Sequence, residues 1–320
     1  MDMILVSNYR RNQRLFSSLD ELAEEMFGIT LLRWRDERLM GENYIPYSYI
    51  SSGRILANVS VNLYTCRIRE KTYPVAQIGT VMTAPDARGK GLSGRLMRYV
   101  LSLYEKQNLF IFLFANASVL DFYPRFGFVG VPQRRYLFLV SEIEPTAGDF
   151  RPVSYRNEAD REIILRTADT RVPLAASFSL EGDQSPRRIY LSSEECEGTL
   201  FYSDRHGALV CAVREEETLR VRALFPAANP NRRRIEWNDT VLRSLPYGTA
   251  KEVECEFTLD SSFPNRASGL YDDKNARLFI RPGEPMRLPD GKVIYPDYSD
   301  REDSDVLDLT GLRFSELDHT

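Results

Sequence analysis

The sequence predicts an α/β (α+β) fold in which strands and helices alternate along the first half of the chain. Three observations support this. Apolar and polar residues alternate over residues 54–63, which is the period of a strand with one buried face. Residues 92–107 show the spacing of a helix with one apolar face. Residues 110–114 are wholly apolar and short, as expected for a strand buried within a sheet.

The remaining elements of the first half follow from turn and cap residues. Ser18 with Glu21 forms a capping-box pattern at a helix start, and Gly28 is a typical helix end. The run Ser51-Ser52-Gly53 predicts a hairpin turn. In chain order we expect a strand at 4–6, helices at 18–27 and 31–40, strands at 44–50, 54–63 and 75–82, a helix at 92–107, a strand at 110–114, a helical turn at 121–126 and a strand at 136–140.

The chain is long for one compact core, which favours two domains. Residues 142–149, with the sequence EIEPTAGD, read as a linker. We therefore expect one domain at 1–142 and a second α+β domain at 150–320. The second half repeats the order strand, strand, helix, strand, so a degenerate copy of the first fold is one interpretation of residues 150–320.

Composition narrows the classes of function. A formal net charge of -4 gives no overall positive field, so we expect no nucleic-acid partner. His206 and His319 are the only histidines, which argues against a histidine-based zinc site or a Ser-His-Asp triad, and we expect no metal. No stretch approaches 18 apolar residues, so no membrane span is expected. Four widely spaced cysteines fit a reduced, cytoplasmic protein. A homo-oligomer is left open.

The most informative segment is a glycine-rich turn between the strand at 75–82 and the helix at 92–107. Gly89, Gly91 and Gly94 have no Cβ, so the backbone there can come close to an anion. A helix N-terminus carries unpaired N–H groups and about half a positive charge. Arg88 and Lys90 add charged donors. The segment therefore predicts a site for a diphosphate.

Two common diphosphate motifs do not fit this segment. Residues 89–94 match GxGxxG, but a dinucleotide site needs its first glycine directly after the strand and a carboxylate at the end of the next strand. Residues 83–88, with Pro85, intervene here, and the next strand ends at Asn116. A Walker A loop needs Ser or Thr after the lysine, where this chain has Gly91.

The same segment resembles the acyl-CoA signature of the GNAT superfamily of N-acetyltransferases. Residues 88–93, RGKGLS, fit it except that Ser93 replaces Gly or Ala. Ser93 is small and suited to capping the helix. Residues 121–128, DFYPRFGF, resemble the second family signature. The resemblance covers about residues 3–140 and implies a mixed central sheet flanked by helices. The larger layout resembles bacterial two-domain members related to the Eis group of aminoglycoside acetyltransferases, without their third domain.

The resemblance implies an N-acetyltransferase that moves an acetyl group from acetyl-CoA to a primary amine of a small molecule or peptide. Tyr123 would stabilise the leaving sulfur and act as an acid. The family often has a glutamate on the strand before the glycine turn, where this chain has Gln77, so the base is left open among ordered water, Glu24, Glu25, Glu42 and the acidic residues 297–308. A sensor that binds acyl-CoA without turnover and, less favoured, a dinucleotide oxidoreductase are the alternatives. The expected cofactor-binding residues are Val81, Met82, Thr83, Arg88, Gly89, Lys90, Gly91, Leu92, Ser93, Gly94 and Asn116.

The acceptor would lie opposite the CoA, against the first two helices and the strand that follows them. Tyr44, Tyr47, Tyr49 and Trp34 are candidates there for an aromatic wall that binds a cation. The same residues are equally suited to the core of the domain.

Overall fold

A computed structural model of the chain describes residues 3–170, 172–182, 185–227, 229–264, 270–271, 276–296, 306–309 and 313. In the first part of the chain the strands and helices are β1 (Ile4–Ser7), α1 (Gln13–Phe27), α2 (Leu31–Asp36), β2 (Tyr44–Ser51), β3 (Arg54–Ile68), β4 (Lys71–Thr83), α3 (Leu92–Tyr104), β5 (Phe110–Ala115), β6 (Val129–Gly130), β7 (Gln133–Arg134) and β8 (Tyr136–Leu139). A short 3-10 turn, Tyr123–Phe126, lies between β5 and β6.

The described elements of the second part are α4 (Val140–Ile143), β9 (Arg151–Pro152), α5 (Glu158–Thr170), β10 (Ser179–Glu181), α6 (Ser185–Leu191), β11 (Leu200–Ser203), β12 (Ala208–Glu215), β13 (Thr218–Phe225), α7 (Arg234–Arg243), β14 (Glu252–Cys255), β15 (Leu270–Tyr271), β16 (Arg277–Pro282), β17 (Met286–Arg287), β18 (Val293–Ile294) and β19 (Leu307–Asp308).

The first sheet is mixed, with the strand order β1-β2-β3-β4-β5-β16-β6 and β10 paired to the far end of β3. The β2–β3 hairpin turns at Ser52 and Gly53, which both have positive φ, as the sequence predicts. β4 and β5 are parallel and joined through α3. A continuous core forms between this sheet and the helices α1 and α3, and the first half of β3 contributes Ile55, Ala57, Val59 and Val61 to it.

Helix α1 begins five residues earlier than the capping pattern at Ser18 predicts. Asn12 caps it, with its side chain accepting from the Leu15 N–H at 3.2 Å. Ser18 instead accepts from the backbone N–H of Ile55 and ties the helix to β3. The predicted end at Gly28 is confirmed, since Gly28 takes the left-handed conformation with φ 69°. α2 ends at Asp36 and is shorter than predicted.

The second sheet has the strand order β8-β14-β13-β12-β11-β9. β12 and β13 are antiparallel, while β13 and β14 are parallel and joined through α7. The connection of β3, β4, α3 and β5 is the same, so the order predicted for the second half reproduces the pairing pattern of the first.

The chain crosses between the two sheets in both directions. β8, which precedes the expected linker, pairs with β14 in the second sheet. β10 and β16, which follow it, belong to the first sheet. The boundary at residues 142–150 stays a prediction, and the sheets themselves do not divide the chain at one point. Within the described residues, no helix is long and apolar enough to cross a membrane.

Candidate active site

The first sheet opens where the parallel strands β4 and β5 separate. Within the described residues these strands pair at two positions only, Ala76 with Ile111 and Gln77 with Phe112. On its other side β4 stays paired with β3 as far as Thr83. Beyond Gln77, β4 and β5 therefore enclose a wedge that widens toward their C-terminal ends, and we call this space the wedge.

A bulge in β4 marks the start of the wedge. Thr80 has a positive φ of 41°, which is unusual for a β-branched residue, and the register with β3 shifts at this level. Asn58 on β3 fixes the bulge, because its buried side-chain amide donates to the carbonyl oxygen of Thr80 at 2.8 Å. The strand thus bends away from β5 at a point held by a specific hydrogen bond.

The glycine turn lies at the mouth of the wedge, between β4 and α3. Gly89 and Gly91 have φ of 75° and 69°, and a Cβ built on either would meet nothing within 4 Å. Gly91 caps α3 in the left-handed conformation. Ser93 therefore does not cap the helix as expected; its hydroxyl bonds to the hydroxyl of Thr83 and joins the turn to the end of β4.

The backbone N–H groups of this turn are available to a ligand. The first helical hydrogen bond of α3 runs from Arg95 N to Gly91 O at 3.1 Å. From Gly89 to Gly94 no backbone N–H donates to an acceptor within the described part of the chain. A run of unpaired donors at the positive end of a 13-residue helix is the arrangement that binds a phosphate group.

The two basic side chains of the turn are exposed. Arg88 reaches back along the turn, with its Nε 3.4 Å from the Thr83 carbonyl oxygen and its Nη2 3.2 Å from the sulfur of Met26. Lys90 donates to the carbonyl oxygen of Asp86 at 3.1 Å. Neither side chain forms a salt bridge within the described residues, so both charges are free to meet an anion.

Tyr123 lies on the short 3-10 turn that follows β5. The 3-10 turn that carries it packs on the first turn of α3, where a Cβ at Gly94 would lie 3.7 Å from Cζ of Phe126. The ring of Tyr123 contacts those of Phe122 at 5.2 Å and Phe128 at 6.1 Å. Its side chain is buried, which raises the pKa of its hydroxyl to about 12. Among the described residues the hydroxyl has no hydrogen-bond partner, so it is a protonated donor available to a ligand at neutral pH.

A strand from the far end of the chain completes the surroundings of Tyr123. β16 pairs along the whole of β5 and separates it from β6. Its Phe279 contacts the Tyr123 ring with centroids 5.9 Å apart. Sequence reasoning missed this contact: the short apolar run 278–280 is compatible with a buried strand, but nothing in it specifies β5 as the partner.

Asn116 immediately follows β5 and is exposed. Its carbonyl oxygen accepts from Val119 N at 3.0 Å, which starts a short 3-10 turn. Residues 81–83 thus form the end of β4, the glycine turn follows them, and Asn116 follows the end of the parallel strand β5, whereas Tyr123 lies on a separate turn.

A buried polar network lies behind the bulge, on one face of β2, β3 and β4. Tyr44 bonds to the hydroxyls of Ser60 at 2.8 Å and Thr80 at 3.1 Å. Burial raises the pKa of Tyr44, so this network contains no base at neutral pH. Tyr44 and Tyr47 are both buried, and Tyr47 bonds to Tyr104 at 2.7 Å, which makes them core residues and not an open aromatic wall.

None of the described residues predicted as candidates for the catalytic base is shown to contact the wedge. Gln77 is 2% exposed, and its side-chain oxygen accepts from Asn62 and Tyr64. Glu24 and Glu25 are exposed on α1. Glu42 pairs with Arg10 at 3.2 Å. The acidic residues 297–305 lie outside the described residues. Among the described residues no cluster of three or more metal-ligating side chains is found.

Comparisons with known proteins agree with this architecture. The fold resembles that of a probable N-acyltransferase from Enterococcus faecalis V583, with TM-score 0.55 and 14% identity over 89% of this chain and 73% of that one. It also resembles a GCN5-related N-acetyltransferase from Anabaena variabilis, with TM-score 0.54 and 14% identity over 88% and 73% of the two chains. Eis1 from Mycobacterium abscessus has TM-score 0.51 and 12% identity over 93% and 85%. At these identities the similarity establishes the shared fold alone.

A sequence search among curated proteins found no match. A family model described as the Acetyltransferase (GNAT) domain matches residues 22–130. The matched region contains the wedge, the glycine turn and Tyr123. Residues 22–130 of this chain therefore belong to the GNAT acetyltransferase domain family.

Proposed function

We propose that this domain binds acetyl-CoA at the wedge and transfers the acetyl group to a primary amine of a small molecule or peptide. The observation that carries the proposal is the run of unpaired backbone N–H groups from Gly89 to Gly94 at the start of α3. These donors suit the pyrophosphate of coenzyme A, with Arg88 and Lys90 adding charge. Within the described residues β4 is not paired with β5 at residues 81–83, so that edge offers main-chain partners to the pantetheine arm.

In the reaction the amine nitrogen attacks the thioester carbonyl carbon, and the carbon–sulfur bond then breaks. Tyr123 donates a hydrogen bond to the sulfur as negative charge develops there. A sulfur anion with a pKa near 8.5 does not take the proton fully from a phenol whose pKa is about 12. Tyr123 therefore stabilises the leaving sulfur more than it protonates it.

The attacking amine must first lose a proton. A lysine-like amine, with a pKa of about 10.4, is neutral in roughly one molecule in 2,500 at pH 7. Gln77 cannot accept that proton, and its side-chain oxygen is already engaged by Asn62 and Tyr64. We propose that ordered water or a carboxylate outside the strand accepts it.

The position of Gln77 also favours a second candidate, a domain that binds acyl-CoA without turnover. Calorimetry with acetyl-CoA, followed by CoA release with a panel of amines, separates the two. The first function requires both binding and amine-dependent release, and the second requires binding alone. Arg88→Ala should weaken acetyl-CoA binding, whereas Arg69→Ala, which removes an exposed arginine at the far end of β3, should not. Absence of acetyl-CoA binding would refute both.

A further inference from the structure

A two-point ion pair joins the start of β3 to the turn that precedes the glycines. The guanidinium of Arg54, the first residue of β3, donates to both carboxylate oxygens of Asp86 at 2.7 and 3.0 Å. Asp86 lies in the 3-10 turn Pro85–Ala87, directly before Arg88. Neither Arg54 nor Asp86 is among the residues predicted to bind the cofactor. The pair therefore adds a contact from β3 to the edge of the proposed diphosphate site.

This pair matters more for the local charge than for the stability of the fold. The two side chains are 52% and 64% exposed, and exposed pairs stabilise proteins little. The backbone already attaches β3 to the turn, since the carbonyl oxygen of Leu56 accepts from the N–H of Ala84 at 2.9 Å. What Arg54 adds is a cation held in a fixed orientation on the carboxylate of Asp86.

Asp86 lies close enough to the proposed phosphate donors to oppose an anion. Gly89 is three positions further along the chain, so the two Cα atoms are at most about 11 Å apart. The Debye length is about 10 Å at 0.1 M salt, so a bare carboxylate there would act on a bound pyrophosphate. The ammonium of Lys90 is also within reach, because its Nζ donates to the carbonyl oxygen of Asp86 at 3.1 Å.

Arg54 decides which cation meets this carboxylate. Arg54 is the main cause of the lowered pKa of Asp86, and the charge of Lys90 contributes, so the carboxylate is ionised at neutral pH. Among the described residues Lys90 forms no salt bridge with it, while Arg54 occupies both of its oxygens. Glu25 on α1 also acts on Arg54 through its charge, but in the same part of the chain the two form no salt bridge. Without Arg54, the carboxylate of Asp86 would be open to Lys90.

We propose that Arg54 keeps the carboxylate of Asp86 from competing with the pyrophosphate, and so leaves Lys90 and the N–H groups of the glycine turn to the acyl donor. This rests on the proposed function. Arg54 acts through Asp86 and is a positioning residue.

This role in the local charge predicts opposite effects when the two partners are removed. Loss of Arg54 frees a carboxylate beside the site, whereas loss of the Asp86 charge frees a cation there. A pair that only braced the turn would give the same effect in both cases, because either loss breaks the brace.

The test measures the affinity of the full chain for acetyl-CoA by calorimetry at low salt. Arg54→Gln should weaken the affinity about three- to fivefold, the size of one exposed charge interaction. Asp86→Asn alone should not weaken it. Asp86→Asn added to Arg54→Gln should restore the affinity of the parent protein. Arg54→Lys, which keeps the charge, should lose less affinity than Arg54→Gln.

Arg67→Gln is the matched control. Arg67 forms the same kind of two-point pair, with Glu181 at 2.7 and 3.0 Å, near the other end of β3. Its removal should leave the affinity for acetyl-CoA unchanged. High salt gives a second control: at about 1 M the Debye length is about 3 Å, so Arg54→Gln and the parent protein should differ by less than about twofold.

A donor without the pyrophosphate separates charge from geometry. With an amine that supports turnover, Arg54→Gln should lower kcat/KM for acetyl-CoA and leave kcat/KM for S-acetylpantetheine unchanged. An equal loss for both donors would show that Arg54 affects the site by some route other than the pyrophosphate, and would overturn the proposal.

Equal affinity of Arg54→Gln and the parent protein for acetyl-CoA would also overturn the proposal, and would leave acetyl-CoA binding intact. So would equal weakening by Arg54→Gln and Asp86→Asn with no recovery in the double variant. If the parent protein binds no acetyl-CoA, the proposed function and this inference fail together. If it binds acetyl-CoA but no amine releases CoA, only the proposed transfer fails, and the affinities of the variants still decide the role of Arg54.

Discussion

Arg281 donates a hydrogen bond to the carbonyl oxygen of Phe126 at 2.5 Å, and so ties β16 to the turn that carries Tyr123. The same guanidinium pairs with Glu105, just after α3, at 2.9 Å. The two side chains are 12% and 24% exposed, so water screens the pair only in part. The placement of the proposed sulfur donor thus depends on a strand from beyond the family-matched region.

Replacing Arg281 with Met should therefore reduce both stability and turnover. The change removes a largely buried ion pair and a main-chain contact, and we expect the free energy of unfolding to fall by about 2 to 4 kcal/mol. Urea denaturation measures this, and kcat measured well below the transition shows the loss of positioning. Lys251→Met breaks an exposed pair with Glu217 and should cost no more than about 0.5 kcal/mol. Equal losses for the two variants would contradict a special role for Arg281.

Local signals predicted much of the fold around the site. The turn residues up to Gly53 predicted the β2–β3 hairpin, and the glycine run predicted the start of α3; the structure has both. These features depend on neighbouring residues: a positive φ needs glycine, and a helix start leaves unpaired N–H groups. The predicted start of α1 was wrong. Asn12 and Ser18 are both residues that cap helices well, and the burial of Phe16 favours the longer helix that Asn12 caps.

The pairing of strands that are distant in sequence could not be predicted from the sequence. The sequence predicts β8 as a plain short strand and gives no prediction for β16, and the residues of neither strand indicate that they pair in the other sheet. The choice of partner is made by burial of Phe138 in one core and of Phe279 in the other. The contact of Phe279 with Tyr123, and that of Arg281 with Phe126, could not be predicted for the same reason.

Tyr123→Phe tests the sulfur donor directly. The variant keeps the ring contacts with Phe122 and Phe279 and loses only the hydroxyl, which has no partner among the described residues. We expect kcat to fall by about 10- to 100-fold, the value of one hydrogen bond to a developing charge. Calorimetry should give an unchanged affinity for acetyl-CoA. Unchanged kcat would remove Tyr123 from the mechanism.

The pH profile should reflect the amine and not Tyr123. Burial raises the pKa of Tyr123 to about 12, so its hydroxyl stays protonated up to about pH 11. We expect kcat/KM for an alkyl amine to rise with pH until the amine itself loses its proton, with no fall before pH 11. Initial rates of CoA release, corrected for spontaneous thioester hydrolysis, measure this. A fall centred near pH 10 would show that Tyr123 titrates normally.

Substitution by alanine should change the stability in opposite directions at Gly91, in the turn, and at Gly94, in α3. Gly91 has φ 69°, so Gly91→Ala should cost about 1 kcal/mol of stability through backbone strain alone, because its Cβ would meet open space. Gly94 lies inside α3, and its Cβ would make an ordinary contact with Phe126 at 3.7 Å. Gly94→Ala should therefore stabilise the protein by up to about 1 kcal/mol. Denaturant titration of both variants measures the difference, and two changes of the same sign would contradict this account of the turn.

His206 lies in the turn between β11 and β12 of the second sheet and should make the protein sensitive to acid. It is 6% exposed between Phe150 and Trp237, and neither ring nitrogen has a hydrogen-bond partner within the described residues. Burial lowers its pKa, although Asp149, with a carboxylate oxygen 3.9 Å away, opposes this. The folded protein thus favours the neutral ring.

Because the pKa of His206 is lower in the folded protein than in the unfolded chain, its contribution to stability is present above about pH 6.5 and is lost as the pH falls below that value. The unfolded chain binds the proton that the folded ring resists, so the slope is at most about 1.4 kcal/mol per pH unit. Urea denaturation of the parent protein and of His206→Phe between pH 5 and 8 measures this contribution, and the free energy of unfolding of the variant should fall less steeply as the pH is lowered.

Asp149→Asn removes the opposing charge, so it should lower the pKa of His206 further and extend the loss of stability to lower pH. Identical pH profiles for the parent protein and His206→Phe would show that the ring is protonated without cost, and that the buried cavity around it accepts a cation.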